Sequence, residues 1–167
     1  NTGEGMDRLV AIEHITGTSA NDNFIGSSGS NRLDGGLGND ALNGAGGNDT
    51  LLGGLGNDTI NGGAGIDWLE MTNDRGVVVD LVKISAQSTG EGVDVIVGIE
   101  NVEGADGNDR LFGNSVANIL DGDDGNDLLD GRGGADRLLG DDGRDTLRGG
   151  AGNDFLTGGD DVDVFFF

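Results

Sequence analysis

The sequence predicts an all-β fold, a solenoid of short coils stacked into parallel sheets, and three observations predict it. Glycine recurs every nine residues in two runs, from Gly17 to Gly62 and from Gly104 to Gly158. Each of these thirteen glycines is followed five residues later by Asp or Asn and seven residues later by Leu, Ile or Phe. Glycine makes up 36 of 167 residues and proline none, yet there is no collagen-like triplet. So strict a period means one supersecondary unit stacked on copies of itself.

Taken in order, the chain opens with a degenerate repeat at 2–10, where Thr2 replaces the leading glycine and Asp7 and Leu9 keep the acidic and apolar columns. Repeats fill 17–70. Residues 71–87 break the period, but Val77, Val79 and Leu81 alternate with Val78, Asp80 and Val82 as a strand would, so irregular coils are expected there. A second degenerate repeat, 89–97, carries Asp94 and Ile96, and repeats then fill 104–166. An offset of 87 residues maps Thr2–Glu13 onto Thr89–Glu100 and Asn31 onto Asn118. The reading is two modules, 1–87 and 88–167, in one continuous stack.

Within a repeat the first six residues are turn formers, and the last three can form a strand whose middle residue points inward. Helix is excluded because glycine is too frequent and a nine-residue apolar period keeps no helical face. Two repeats close one coil of about 18 residues, with coils about 4.8 Å apart. The expected core is Phe24, Leu33, Leu42, Leu51, Ile60 and Leu69, then Leu111, Leu120, Leu129, Leu138, Leu147, Leu156 and Phe165.

Composition limits the function. Nine basic against 31 acidic residues give a formal charge of −22, which excludes nucleic acid and anionic membranes as natural partners and favours cations. Cysteine is absent, so neither disulfides nor thiolate sites arise. No apolar run reaches the roughly 18 residues of a membrane span, and a soluble piece of a larger protein is expected. Glycine at positions one, two and four lets a turn aim several carbonyls at one point. Position six supplies Asp22, Asp40, Asp49, Asp58, Asp67, Asp109, Asp127, Asp136, Asp145, Asp154 and Asp163, with Asn31 and Asn118 as the exceptions. Carbonyl and carboxylate oxygens are hard ligands that suit Ca²⁺ over zinc or copper. Two divalent ions about 4.8 Å apart repel by about 14 kcal/mol at an effective dielectric of about 20, so a row of them needs nearly continuous carboxylates.

The repeat Gly-Gly-x-Gly-x-Asp-x-apolar-x, with Val97–Val102 and Gly158–Phe165, resembles the RTX (repeats-in-toxin) nonapeptide. The resemblance implies a right-handed parallel β-roll or β-helix built from calcium-binding nonapeptide repeats. It implies that each ion lies between repeat n and repeat n+2, held by both position-six side chains and by turn carbonyls. The pairs are then 22 with 40, 31 with 49, 40 with 58 and 49 with 67, followed by 109 with 127, 118 with 136, 127 with 145, 136 with 154 and 145 with 163. Nine ions would bring the formal charge from −22 to −4. The carbonyls implied in the first block are those of Gly17, Ser19, Gly26, Ser28, Gly35, Leu37, Gly44, Gly46, Gly53, Leu55, Gly62 and Ala64. In the second they are those of Gly104, Asp106, Gly113, Ser115, Gly122, Asp124, Gly131, Gly133, Gly140, Asp142, Gly149 and Ala151. The Asn31 and Asn118 rungs are expected to be weak, having lost a charge. Ala20, Val116 and Asp161 replace the fourth-position glycine. Asp7, Asp94, Glu13 and Glu100 either add sites at the block starts or are solvated surface acids.

Other residues read more plainly. His14 has no partner constellation and is read as a surface residue. With neither a nucleophile motif nor tyrosine, no catalytic residue is assigned, and the chain is expected to be non-catalytic. Trp68 is outward. Arg110 and Arg148 fall on one face and Arg137 on the other, so the basic residues make no single track. Phe165–Phe167 is read as a final core strand, with part of a hydrophobic export signal as the alternative. The resemblance implies a secreted module of a Gram-negative bacterial protein, passed unfolded through type I secretion machinery and folded by extracellular calcium. Two alternatives are an acidic-polysaccharide-binding accessory module, as in secreted alginate epimerases, and an adhesin or ice-binding roll.

Overall fold

The computed structural model describes residues 13–167, and every regular element among them is a β-strand, numbered β1 to β18 in chain order. The degenerate repeat at 2–10, with Asp7, lies outside the described residues. Inside the repeats the strands occupy positions seven to nine, as the pattern requires, and two of them, Arg137–Asp142 and Phe155–Asp160, run on through positions one to three of the next turn. The strands are mostly three residues long because glycine turns interrupt them on both sides.

Two compact units form. The first takes the described chain up to Leu69 together with Ile84–Ile99. One of its sheets orders β1 (His14–Thr16), β3 (Arg32–Asp34), β5 (Thr50–Leu52) and β7 (Trp68–Glu70). The facing sheet orders β2 (Asn23–Ile25), β4 (Ala41–Asn43), β6 (Thr59–Asn61) and β10 (Val93–Val97), with β9 (Gln87–Ser88) antiparallel at its edge. The second unit takes Glu70–Lys83 and Glu100–Phe167. It sets β11 (Asn101–Glu103), β13 (Ile119–Asp121), β15 (Arg137–Asp142) and β17 (Phe155–Asp160) against a sheet of β8 (Val78–Asp80), β12 (Arg110–Phe112), β14 (Leu128–Asp130), β16 (Thr146–Arg148) and β18 (Val164–Phe166).

The strands within the repeats pair in parallel one coil apart. Leu33 pairs with Leu51 and Leu51 with Leu69, while Leu111 pairs with Leu129 and Leu129 with Leu147. This is a parallel β-roll. Side chains of the middle strand position fill the space between the two faces. Leu33, Leu51, Leu69, Leu111, Leu129 and Leu147 are fully buried, and Ile96, Val79 and Val102 continue the columns through the irregular segments. Each fully buried leucine contributes about 1.5–3 kcal/mol.

Two expectations for the core fail. Leu156 is only half-buried and Phe165 remains 40% exposed. Their strands, β17 and β18, are the outermost of their sheets, so among the described residues each side chain is covered from one side only. The segment at 71–87 does contain the expected alternating strand. Val77 and Val79 are fully buried and Val78 is exposed, with β8 parallel to β12.

Candidate metal centre

The edge of each coil is a turn whose atoms are fixed by the coil stacked on it. At Gly35 a Cβ would stand 2.5 Å from Asp40 Oδ2 and 2.6 Å from the carbonyl oxygen of Gly53, so only hydrogen fits there. Carboxylate and carbonyl thus converge beside the first glycine of the turn. Gly56 has φ +154°, and a Cβ on it would overlap the Gly38 carbonyl of the preceding coil.

Position six forms ladders. The main-chain N–H of Asp22 donates to Asp40 Oδ1 at 2.7 Å, Asp40 to Asp58 at 2.8 Å, Asn31 to Asp49 at 2.7 Å and Asp49 to Asp67 at 2.8 Å. In the second unit Asp109 donates to Asp127 at 2.7 Å, Asn118 to Asp136 at 2.9 Å, Asp127 to Asp145 at 2.8 Å, Asp136 to Asp154 at 3.0 Å and Asp145 to Asp163 at 3.1 Å. All nine sequence-derived pairs therefore stand on adjacent coils. One further rung breaks the period: the Asp58 N–H donates to Asp94 Oδ1 at 2.8 Å across 36 residues. Val77 donates likewise to Asp109 Oδ1 at 2.7 Å.

One oxygen of each accepting carboxylate is thus committed to its neighbour. The other, Oδ2, has no hydrogen-bond partner at Asp40, Asp49, Asp58, Asp127, Asp136 and Asp145, although these side chains are at most 3% exposed. An isolated buried carboxylate oxygen is costly unless a proton or a cation meets it. Burial, reinforced by like charges on neighbouring rungs, pushes Asp58 up to about 6 and Asp127 up to about 7. Asp40, Asp49, Asp136 and Asp145 are raised by burial too.

Among the described residues no three His, Cys, Asp or Glu side chains cluster so as to hold a metal by themselves. A cation here must take main-chain oxygens as well, and the turns offer them. The carbonyls of Gly53, Gly62, Gly122 and Gly158 lie 2.5–2.7 Å from the Cβ position of the glycine one coil earlier, beside that turn's Oδ2. The third-position carbonyls of Leu55, Ala64, Asp124, Asp142 and Ala151 each accept one backbone N–H, leaving a second lone pair. An all-oxygen, anionic, preformed set of this kind fits calcium. The family model of the RTX calcium-binding nonapeptide repeat matches residues 16–51, 42–69, 103–138 and 139–167. The chain belongs to this RTX family. No curated protein matches it.

The RTX turns of this chain are not all alike, a difference the sequence reading missed. In nine of them position two is left-handed, even where it is not glycine, as at Ala45, Asp123, Arg132 and Asp141. In the first two turns of each run it is not. There the position-two N–H folds back onto the position-six side chain of its own turn: Thr18 to Asp22 at 2.9 Å, Ser27 to Asn31 at 2.6 Å, Ala105 to Asp109 at 2.9 Å and Asn114 to Asn118 at 2.8 Å. The Asn118 Nδ2 also donates to the Glu100 carbonyl at 2.6 Å. The Thr89 hydroxyl, in the position-one place, donates to Asp94 Oδ2. The sequence signal for these closures is Thr89 in a glycine column; a missing second glycine does not mark them, since Ala45, Asp123, Arg132 and Asp141 lack it too and stay left-handed.

A second ladder was also missed. Position-five asparagines accept from the next coil, with Asn39 N–H to Asn21 at 2.9 Å, Asn57 N–H to Asn39 at 2.8 Å and Val93 N–H to Asn57 at 2.9 Å. These asparagines thus use their carbonyl oxygens to join coils. His14 is exposed, its Nε2 3.2 Å from Thr16 Oγ1.

Proposed function

We propose that this RTX β-roll is a module that folds when calcium binds, outside the cell, as part of a larger protein exported through type I secretion machinery. RTX repeats are typical of secreted bacterial proteins, and a Gram-negative source accords with that route. The observation that carries the reading is the set of buried, unpartnered Oδ2 atoms in a chain of formal charge −22. Without cations those carboxylates repel and must be protonated or drawn back into water, which opens the coils. With cations, the position-six side chains and turn carbonyls close around shared charge, and binding free energy becomes folding free energy. The buried position-six carboxylates and the turn carbonyls beside them are the candidate ligands, and the chain's role is structural rather than catalytic.

Extracellular calcium modules work at about 10⁻⁴–10⁻³ M, which would keep the chain extended at cytoplasmic calcium and fold it outside. Far-ultraviolet circular dichroism in chelator, followed by calcium addition, tests this. A cooperative gain of β signal is expected, and a chain already folded in chelator at neutral pH overturns the proposal.

A further inference from the structure

Resting on the calcium reading above, the geometry points to a calcium ladder that is closed at its ends by the protein's own hydrogen bonds, so that the nine pairs are not equivalent. We infer six cation positions, three in each unit. They are 40 with 58, 49 with 67 and 58 with 94 in the first, and 127 with 145, 136 with 154 and 145 with 163 in the second.

For five of the six pairs the cradle is defined by the Oδ2 of the earlier rung and the first-position carbonyl one coil on. At Gly35 these are Asp40 Oδ2 and the Gly53 oxygen, and at Gly44 a Cβ would meet Asp49 Oδ2 and the Gly62 oxygen. At Gly53, which starts the pair 58 with 94, a Cβ would meet Asp58 Oδ2 and the Ile60 side chain, and the unpartnered Oδ2 alone marks the position. At such turns position two is left-handed, its N–H does not reach the carboxylate, and Oδ2 of Asp40, Asp49, Asp58, Asp127, Asp136 and Asp145 stays buried and unpartnered. A hard cation supplies the missing partner there.

At the leading turns the same cradle is already filled. The Ala105 N–H on Asp109 Oδ2 and the Val77 N–H on Oδ1 give Asp109 a donor at each oxygen. Asp22 Oδ2 accepts from both the N–H and the hydroxyl of Thr18, at 2.9 and 3.1 Å. At Asn118 a carboxamide replaces the carboxylate. Its oxygen takes the Asn114 N–H and its NH₂ takes the Glu100 carbonyl, a position where a cation would otherwise join two oxygens. The first unit is closed from the other side as well, because the Thr89 hydroxyl holds Asp94 Oδ2. Asp94 therefore starts no site of its own, and toward the cation at Asp58 Oδ2 it offers the second lone pair of Oδ1, whose first takes the Asp58 N–H. The Oδ2 atoms at these ends already have a donor, so the unmet demand that draws a cation to Asp40 or Asp127 is absent, and these ends should take no calcium.

The test counts calcium bound per chain at millimolar free calcium, by equilibrium dialysis with elemental analysis. Six are expected for the unaltered protein, six for Asp22→Asn and Asp109→Asn, and five or fewer for Asp127→Asn and Asp136→Asn. Nine in the unaltered protein, or a loss in Asp109→Asn equal to that in Asp127→Asn, overturns the inference while leaving calcium binding intact. A protein that binds none overturns the calcium reading itself. Should a variant fail to fold, crystals of the unaltered chain grown in calcium decide the point. Anomalous peaks are expected beside Gly35 and Gly122, and peaks beside Gly17 and Gly104 refute the closed ends.

Discussion

The residues of the RTX repeat divide by what limits them. The inward leucine is limited by volume. Leu129, fully buried between two parallel neighbours, should lose about 2–5 kcal/mol on substitution by alanine, whereas Phe165→Ala, at the half-open last strand, should cost far less. Denaturant unfolding in saturating calcium compares the two directly, and equal losses would mean Phe165 is covered. The position-six aspartate is limited by charge. Its folded pKa, near 6 at Asp58 and near 7 at Asp127, stands above the ordinary value of about 3.9. Such a carboxyl contributes stability that is complete below about pH 4 and lost as pH rises through 6 to 7. In chelator, acidification from pH 8 to 5 should therefore raise the β signal. In calcium the proton is a competitor, so the calcium midpoint should fall as pH rises across the same window. A midpoint identical at pH 5.5 and 7.5 would show that these carboxylates take no part.

At the scale of elements, three-residue strands survive because backbone bonds in the turns and side chains beside them also join the coils. Asn57, whose Oδ1 holds the Val93 N–H, is expected to contribute about 1 kcal/mol, read as the stability lost in Asn57→Ala. Strand β8 is held differently. The Arg132 guanidinium forks onto both Asp80 oxygens at 2.7 and 2.9 Å, reaches the Gly113 carbonyl at 2.8 Å and lies 5.4 Å from the Phe112 ring centre. That hydrogen bonding holds the Asp80 carboxyl below its usual range. Since the pair is about one-third exposed, Arg132→Ala should cost only about 1 kcal/mol, and Arg132→Lys should recover little because it keeps the charge and loses the fork. Full recovery by lysine would assign the effect to charge alone. None of this was legible beforehand, since Asp80 and Arg132 are 52 residues apart and belong to no common period. The repeats were legible because glycine, aspartate and leucine each answer a local demand at fixed spacing. The step from Asp58 to Asp94 was not, because the period is broken between them. The turn closures escaped notice because a main-chain N–H is present at every residue and leaves no mark on composition.

For the whole molecule, cohesion and charge oppose each other, and on the proposed reading calcium relieves the opposition. Added monovalent salt screens exposed charges but reaches buried rungs poorly, so it should replace calcium only weakly. A chelated sample in 0.5 M sodium chloride is expected to regain little of the β signal that millimolar calcium restores; full recovery would reduce the role of calcium to screening.

The path of the chain between the units carries a consequence in time. It leaves the first unit at Leu69, gives Glu70–Lys83 to the second, returns as Ile84–Ile99 and leaves again. Strand β6 therefore waits for β10, and the first unit is incomplete until Val97 has been made, after the stretch needed by the second has already passed. A nascent chain halted after residue 87 would hold every repeat of its first run and still present β6 as a bare edge.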